Sequence, residues 1–205
     1  MKSIIIISFS ITLFVSACNS GGKSEKQNDK STMNMDTSQS ATIDTTLAKE
    51  VVHSFNVDPK LASSLKSVIN HYLHIKNALV NDDGHDAASG GKQMSDAIAK
   101  VDKSLFTAEQ KKIYDDIEDD LKEHAEHIGK NAKDIDHQRE HFIMMSEDVY
   151  DLVKAFGGGQ TLYHDHCPMA DNNKGGMWLS ETKEVKNPYF AGKMNECVKV
   201  KEVIK

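Results

Sequence analysis

"DPKLASSLKSVINHYLHIKNALV", residues 58–80, decides the class of fold. Leu61, Leu65, Val68, Tyr72, Ile75 and Leu79 recur at steps of 4, 3, 4, 3 and 4. That spacing sets all six on one face of a helix with 3.6 residues per turn. Asp58 is suited to cap the first turn, and Pro59 to open it, because the N–H that proline lacks has no intrahelical partner there. Asn81-Asp82-Asp83-Gly84 stops the pattern.

Three further stripes follow downstream. Met94, Ile98, Val101 and Leu105 predict a helix from about Asp86 to Lys103, although Gly90-Gly91 weakens its first half by about 1 kcal/mol per glycine. Thr107-Ala108-Glu109-Gln110 has the form of a capping box. From it run Ile113, Ile117, Leu121, Ala125, Ile128 and Ala132. Phe142, Met145, Val149, Leu152 and Phe156 make the last stripe, which Gly157-Gly158-Gly159 ends. Four amphipathic segments on short connections predict a mainly α protein, with an antiparallel four-helix bundle over residues 58–157. Beyond it, Pro168, Gly175-Gly176, Pro188 and Gly192 interrupt the chain too often for a long helix. Residues 158–205 are expected as a small strand and turn element packed on the bundle, with Cys197 to Ile204 alternating like a strand.

Upstream of the first stripe the chain changes character. Residues 1–17 combine Lys2, an apolar run from Ile4 to Val15, and a Val15-Ser16-Ala17-Cys18 ending, the pattern of a lipoprotein signal peptide. The run is shorter than the ~20 residues of a bilayer-spanning helix. Cys18 is the expected lipidation site, and a stable anchor there needs more than one acyl chain. The alternative is an ordinary cleavable signal followed by an incidental cysteine. The expected location is therefore the cell envelope, lipid-anchored to a membrane through Cys18, periplasmic or outer-membrane associated. Residues 18–57 are read as the lipidated cysteine and a flexible linker, since Asn19 to about Asn56 is rich in Ser, Thr, Asn, Asp, Lys and Gln.

The chain has 205 residues and a formal net charge of -6. Residues 58–157 hold 13 basic and 20 acidic side chains, whereas residues 158–205 hold 7 and 6. An acidic helical body lacks the basic stripe that a nucleic-acid partner requires.

Candidate ligands fall into two groups. On the helices, His124 and His127 are three apart, and His137 and His141 four apart. Either pair can share a helix face and grip a metal. Their many acidic and basic neighbours favour instead a solvated face, and His71 and His74 are read the same way. His137-Gln138-Arg139-Glu140-His141 also fits the H-x-x-E-H pattern of inverted zincins. A zinc hydrolase using His137, Glu140 and His141 is thus a distant alternative to a protein that is not an enzyme. No nucleophile elbow or phosphate-binding glycine loop accompanies it, and the helical stripes hold no Glu-x-x-His pair of the di-iron kind.

The second group is the tail, "YHDHCPMADNNKGGMWLS", residues 163–180. Cys, Met and His are the ligands that Cu(I) selects. Pro168 biases Cys167 toward extended backbone, in which Cys167 and Met169 share one side and His164 and His166 the other. Met194 and Cys197 arrive after Pro188-Tyr189-Phe190. Folding the tail back would gather Cys167, Met169, Met194 and Cys197 as a soft-metal set, with His164, His166, Met177 and Trp178 as weaker contributors. Trp178 would act through its ring face over a bound cation. A Cys167–Cys197 disulfide competes with this set, since closing a loop of ~30 residues is worth roughly 3–4 kcal/mol. Met169, Met177, Trp178, Tyr189 and Phe190 can also be read as the small core of the tail.

Residues 127–142, "HIGKNAKDIDHQREHF", and residues 163–197, from "YHDHCPMA" through "WLS" and "NPYF" to the last Met and Cys, resemble a bacterial envelope family. Its members carry a domain of unknown function, occur as small lipoproteins, and are also found attached to periplasmic adaptor subunits of copper and silver efflux pumps. The resemblance covers about residues 58–205. It implies a helical-bundle domain with a compact C-terminal element in a copper-handling setting. By position it carries over Cys167, Met169, Met194 and Cys197 as a soft-metal set. The sequence departs from the family pattern at Val198, where glycine is common, and at Met177, an extra soft ligand. The resulting expectation is a protein binding Cu(I) or Ag(I) for heavy-metal homeostasis, with an efflux-pump adaptor or another copper carrier as partner. The other expectation is a non-catalytic interaction module held by the Cys167–Cys197 disulfide.

Overall fold

The computed structural model describes residues 48–205. The signal peptide, Cys18 and most of the expected linker lie outside the described residues.

Four long helices form in sequence: α1 (Pro59–Val80), α2 (Gly84–Ile98), α3 (Ala108–Lys130) and α4 (Ile135–Phe156). Each starts where a side chain satisfies a free N–H. Asp58 accepts from Lys60 and Leu61, Asp83 from Asp86, and Asp134 from His137. Thr107 and Gln110 complete the capping box. The apolar stripes face the core, with Ile113 of α3 partly buried, and Leu61, Leu65, Val68, Tyr72, Ile75 and Leu79 on α1 are all 1% exposed or less. Gly157, at φ 83, ends α4 in backbone that suits glycine.

Helix α2 is shorter than its stripe predicts. It stops at Ile98, and Lys103–Leu105 forms a separate turn of 3-10 helix capped by Asp102. The paired glycines that weaken α2 in sequence have a packing reason. A Cβ on Gly91 would lie 2.7 Å from both the carbonyl oxygen of Ala125 and the N of Gly129. The backbones of α2 and α3 therefore meet where no side chain fits. Helix α3 ends at Lys130, so Ala132 lies in the turn between α3 and α4 and not on the stripe.

The tail builds a four-stranded mixed sheet, with strands β1 (Lys49–Val51), β2 (Leu162–Cys167), β3 (Gly176–Ser180) and β4 (Lys199–Ile204) in the order β1-β4-β2-β3. β2 runs antiparallel to both β3 and β4, and β1 parallel to β4. Ordered structure therefore begins before the residue-58 boundary: Lys49–Val51 is a strand, and Phe55 and Val57 pack on the core. The linker reading fails over residues 49–57 because these residues have partners that local composition does not reveal.

The sheet is joined to α1 and α4 by buried polar contacts. The edge N–H of Leu179 donates to the Tyr72 hydroxyl (2.9 Å), which lies 2.9 Å from Ser146 Oγ, and Ser146 donates to the Phe142 carbonyl (2.7 Å). Lys76, 3% exposed, is paired with Glu181 at 2.7 Å, and Asn77 donates to the same carboxylate at 2.9 Å. Leu162, Cys167, Trp178, Leu179 and Ile204 join the helical side chains in one continuous core.

Candidate metal centre

The hairpin of α3 and α4 gathers four histidines. His124 and His127 occupy the last two turns of α3, and His137 and His141 the first two turns of α4. Only Asn131–Asp134 separates the helices, so the two pairs meet across the turn. The hairpin is held firmly. Asp134 accepts from the His137 N–H, Asn131 donates to the His127 carbonyl, and buried Gln138 donates to the carbonyls of Ile128 and Gly84.

His124 Nδ1 and His141 Nδ1 are 3.1 Å apart. His127, His137 and His141 can each offer a ring nitrogen such that the three lie within 4.8 Å of one another. The His127 and His141 rings stack with centroids at 4.2 Å, and His137 meets His141 edge-on at 4.6 Å. Two nitrogens bound tetrahedrally to one ion at ~2.05 Å lie about 3.3 Å apart. The His124–His141 spacing is close to that value, while the ring nitrogens of the trio lie within 4.8 Å of one another. Glu123 lies 3.9 Å from His127 Nε2 and Glu140 3.4 Å from His137 Nδ1, as neighbouring carboxylates on the same helices.

Burial, followed by the neighbours His127, His137 and His124, lowers His141 to about 4. Burial also lowers His124. Both shifts favour the neutral imidazole, and in the Nδ1–Nδ1 contact one ring donates its N–H to the other. Two turns further along α4, burial and then Asp120, Asp151 and Glu147 push the Asp148 carboxyl up to about 7.

The reading of these histidines as a solvated face is corrected for His141, which is 9% exposed; His127 and His137 keep 44% and 34% of their side-chain surface exposed, and the other three rings lie against His141. The signal in the sequence is their placement on either side of a short turn. A histidine near the end of one helix and another near the start of the next must meet if the stripes pack. In the H-x-x-E-H segment, Gln138 is buried on backbone carbonyls, Arg139 pairs with Asp82 at 2.6 Å, and Glu140 is 74% exposed. The residue whose ring nitrogen lies within 4.8 Å of those of His137 and His141 is His127 of α3.

Residues 68–161 match a protein family of unknown function, DUF3347. The matched span holds all four histidines and ends before β2. No curated protein and no solved structure matches the chain.

The residues of the expected soft-metal set lie in the tail. Cys167 closes β2 and is buried, Cys197 precedes β4 and is partly exposed, and their Sγ atoms are 3.9 Å apart with no bond between them. The strand ends at Cys167, so alternation does not extend to Met169, which sits in the following turn and is 43% exposed. Met194 is left-handed at φ 55, and its carbonyl accepts the Cys197 thiol at 3.2 Å. Met177 stands opposite His166 across the β2–β3 ladder.

Trp178 is fully buried with the Tyr189 ring edge-on at 5.6 Å, which makes it a core residue and not a cation platform. Tyr189 shares that core and Phe190 packs on its margin, as the small-core reading has it; Met169 does not. His164 packs on Tyr150 at 4.6 Å, and burial, opposed in part by Glu202, lowers it to about 4. His166 is half-buried beside Gly175.

Proposed function

We propose that this is a metal-binding protein of the cell envelope, non-catalytic, that holds one divalent d-block ion through His127, His137 and His141, with His124 as fourth imidazole. The observation that carries the reading is the trio of ring nitrogens within 4.8 Å on two independently capped helices. Neutral imidazole suits zinc, copper, nickel and iron, and copper(II) binds most tightly of the divalent series. Copper(II) is therefore the ion proposed. Glu140 is exposed and lies beside His137, which fits support of a ligand better than activation of water.

The remaining proposals rest on sequence: a membrane anchor at Cys18, and hand-over of copper to an efflux-pump adaptor or another carrier. We read the four helices as an antiparallel bundle, supported by their short connections.

Titrating the full chain with Cu(II) and Zn(II) against a competing chelator tests the reading. Wild type is expected to retain one equivalent. His137→Ala and His141→Ala are each expected to weaken it by about 100-fold or more, the upper range that supporting partners alone can cost. No retained ion in wild type, or unchanged affinity in both variants, removes the proposal.

A further inference from the structure

Five of the six non-glycine residues with positive φ among the described residues lie in two loops of the tail. Asp171, Asn172 and Asn173 (φ 46, 53 and 70) follow Cys167-Pro168-Met169 in the loop from β2 to β3. Ala191 and Met194 (φ 51 and 55) precede Cys197 in the approach to β4. Left-handed backbone is costly for alanine and methionine, and persists where the surroundings hold it in place. Here the second loop is held by Asn195, which accepts from the Asn187 N–H at 3.0 Å and donates to the Gly192 carbonyl at 3.0 Å. The result of both strained loops is one juxtaposition: the two remaining cysteines, 30 positions apart, bring their sulfurs to 3.9 Å.

We propose that Cys167 and Cys197 form a second metal site, independent of the imidazole cluster, which takes one soft closed-shell monovalent cation, Cu(I) or Ag(I), as a bis-thiolate. Two sulfurs each ~2.3 Å from a shared ion span 3.9 Å at an included angle of about 115°. The pair already has the separation of a chelate, whereas a disulfide needs closure to ~2.05 Å. An angle well short of linear leaves room for a third ligand, and the same two loops carry the thioethers of Met169 and Met194. Thiolate and thioether together favour Cu(I), although thiolate alone also takes zinc. Binding transfers no electron: each thiol gives its proton to solvent and each sulfur donates a lone pair to the ion. Burial and the adjacent Cys167 push the Cys197 thiol up. Cys197 is partly exposed, which gives an ion a way in, while Cys167 is buried against the core.

The test uses the full reduced chain under anaerobic conditions, titrated with Cu(I) and separately with Ag(I) against a competing thiol-free chelator. Wild type and the His137→Ala variant are both expected to retain one equivalent with thiolate-to-metal absorption. Cys197→Ser is expected to lose about 100-fold or more in affinity with its circular dichroism unchanged. The bound ion is also expected to protect Cys197 of wild type from alkylation, a readout that needs no variant. Absence of thiolate absorption, equal retention by Cys197→Ser, or unprotected Cys197 overturns the proposal. So does a mass lower by two hydrogens that reductant does not reverse, which marks a permanent disulfide. Because His137→Ala removes only the first site, failure of the imidazole reading and failure of this one are distinguishable.

Discussion

Asp165 is the residue whose chemistry sets the behaviour of the sheet. It is 1% exposed, in the middle of β2, and neither carboxylate oxygen has a protein partner. Directly opposite, across the ladder to β3, Trp178 holds an indole N–H that is also unpaired. Burial pushes the Asp165 carboxyl up to about 8, with Lys76 opposing. An unfolded aspartate ionises near ~3.9. Between about pH 4 and pH 8 the folded state therefore keeps a proton that the unfolded state has released. Stability from this residue is complete below that window and falls as pH rises through it. Asp165→Asn is expected to match wild type in thermal midpoint below about pH 4 and to melt higher at about pH 8. Parallel pH slopes for the two proteins would show that Asp165 is already ionised at low pH.

Among the elements, α2 and α3 depend on a close approach that sequence alone presents as a weakness. Alanine at position 91 gains about 1 kcal/mol of helix propensity, yet its Cβ would meet backbone atoms at 2.7 Å that cannot rotate away. Gly91→Ala is expected to destabilise by a net of about 1–3 kcal/mol, measured as a lower urea midpoint with unchanged slope. A stabilised variant would mean that the two helices are further apart. The same contrast governs what could be read in advance. The stripes of α1, α3 and α4 and the caps at Asp58 and Thr107 were legible because helical periodicity and capping are local. The end of α2 at Ile98 was not, because Val101 continues the stripe while the backbone turns away from helix. The four histidines lay in plain sight as two helical pairs, but charge composition argued for solvent, and only the packing of α3 on α4 joins them. Cys167 and Cys197 drew notice by their type. That their sulfurs meet depends on strained loops that no local pattern announces.

At the scale of the whole molecule, the helices and the sheet are coupled by a buried ion pair. Lys76 is 3% exposed and Glu181 28% exposed. Burial raises the Glu181 carboxyl, but hydrogen bonds from Asn77 and Lys76 outweigh it and hold it below the usual range. Glu181→Ala leaves a buried ammonium without its carboxylate and is expected to cost about 3 kcal/mol. Pairing it with Lys76→Met is expected to recover most of that loss, since an apolar replacement removes the orphaned charge. A double variant no more stable than Glu181→Ala would place the cost in lost packing. The parallel pairing of β1 with β4 has a mechanical consequence. β1 enters the sheet at Lys49 beside Glu202, and the chain leaves at Lys205, whose N–H donates to the Val51 carbonyl. Tension applied between these two ends pulls neighbouring parallel strands in opposite directions along their length. The hydrogen bonds between them are then loaded together in shear, and do not open one at a time, so the sheet resists force along the β1–β4 pair.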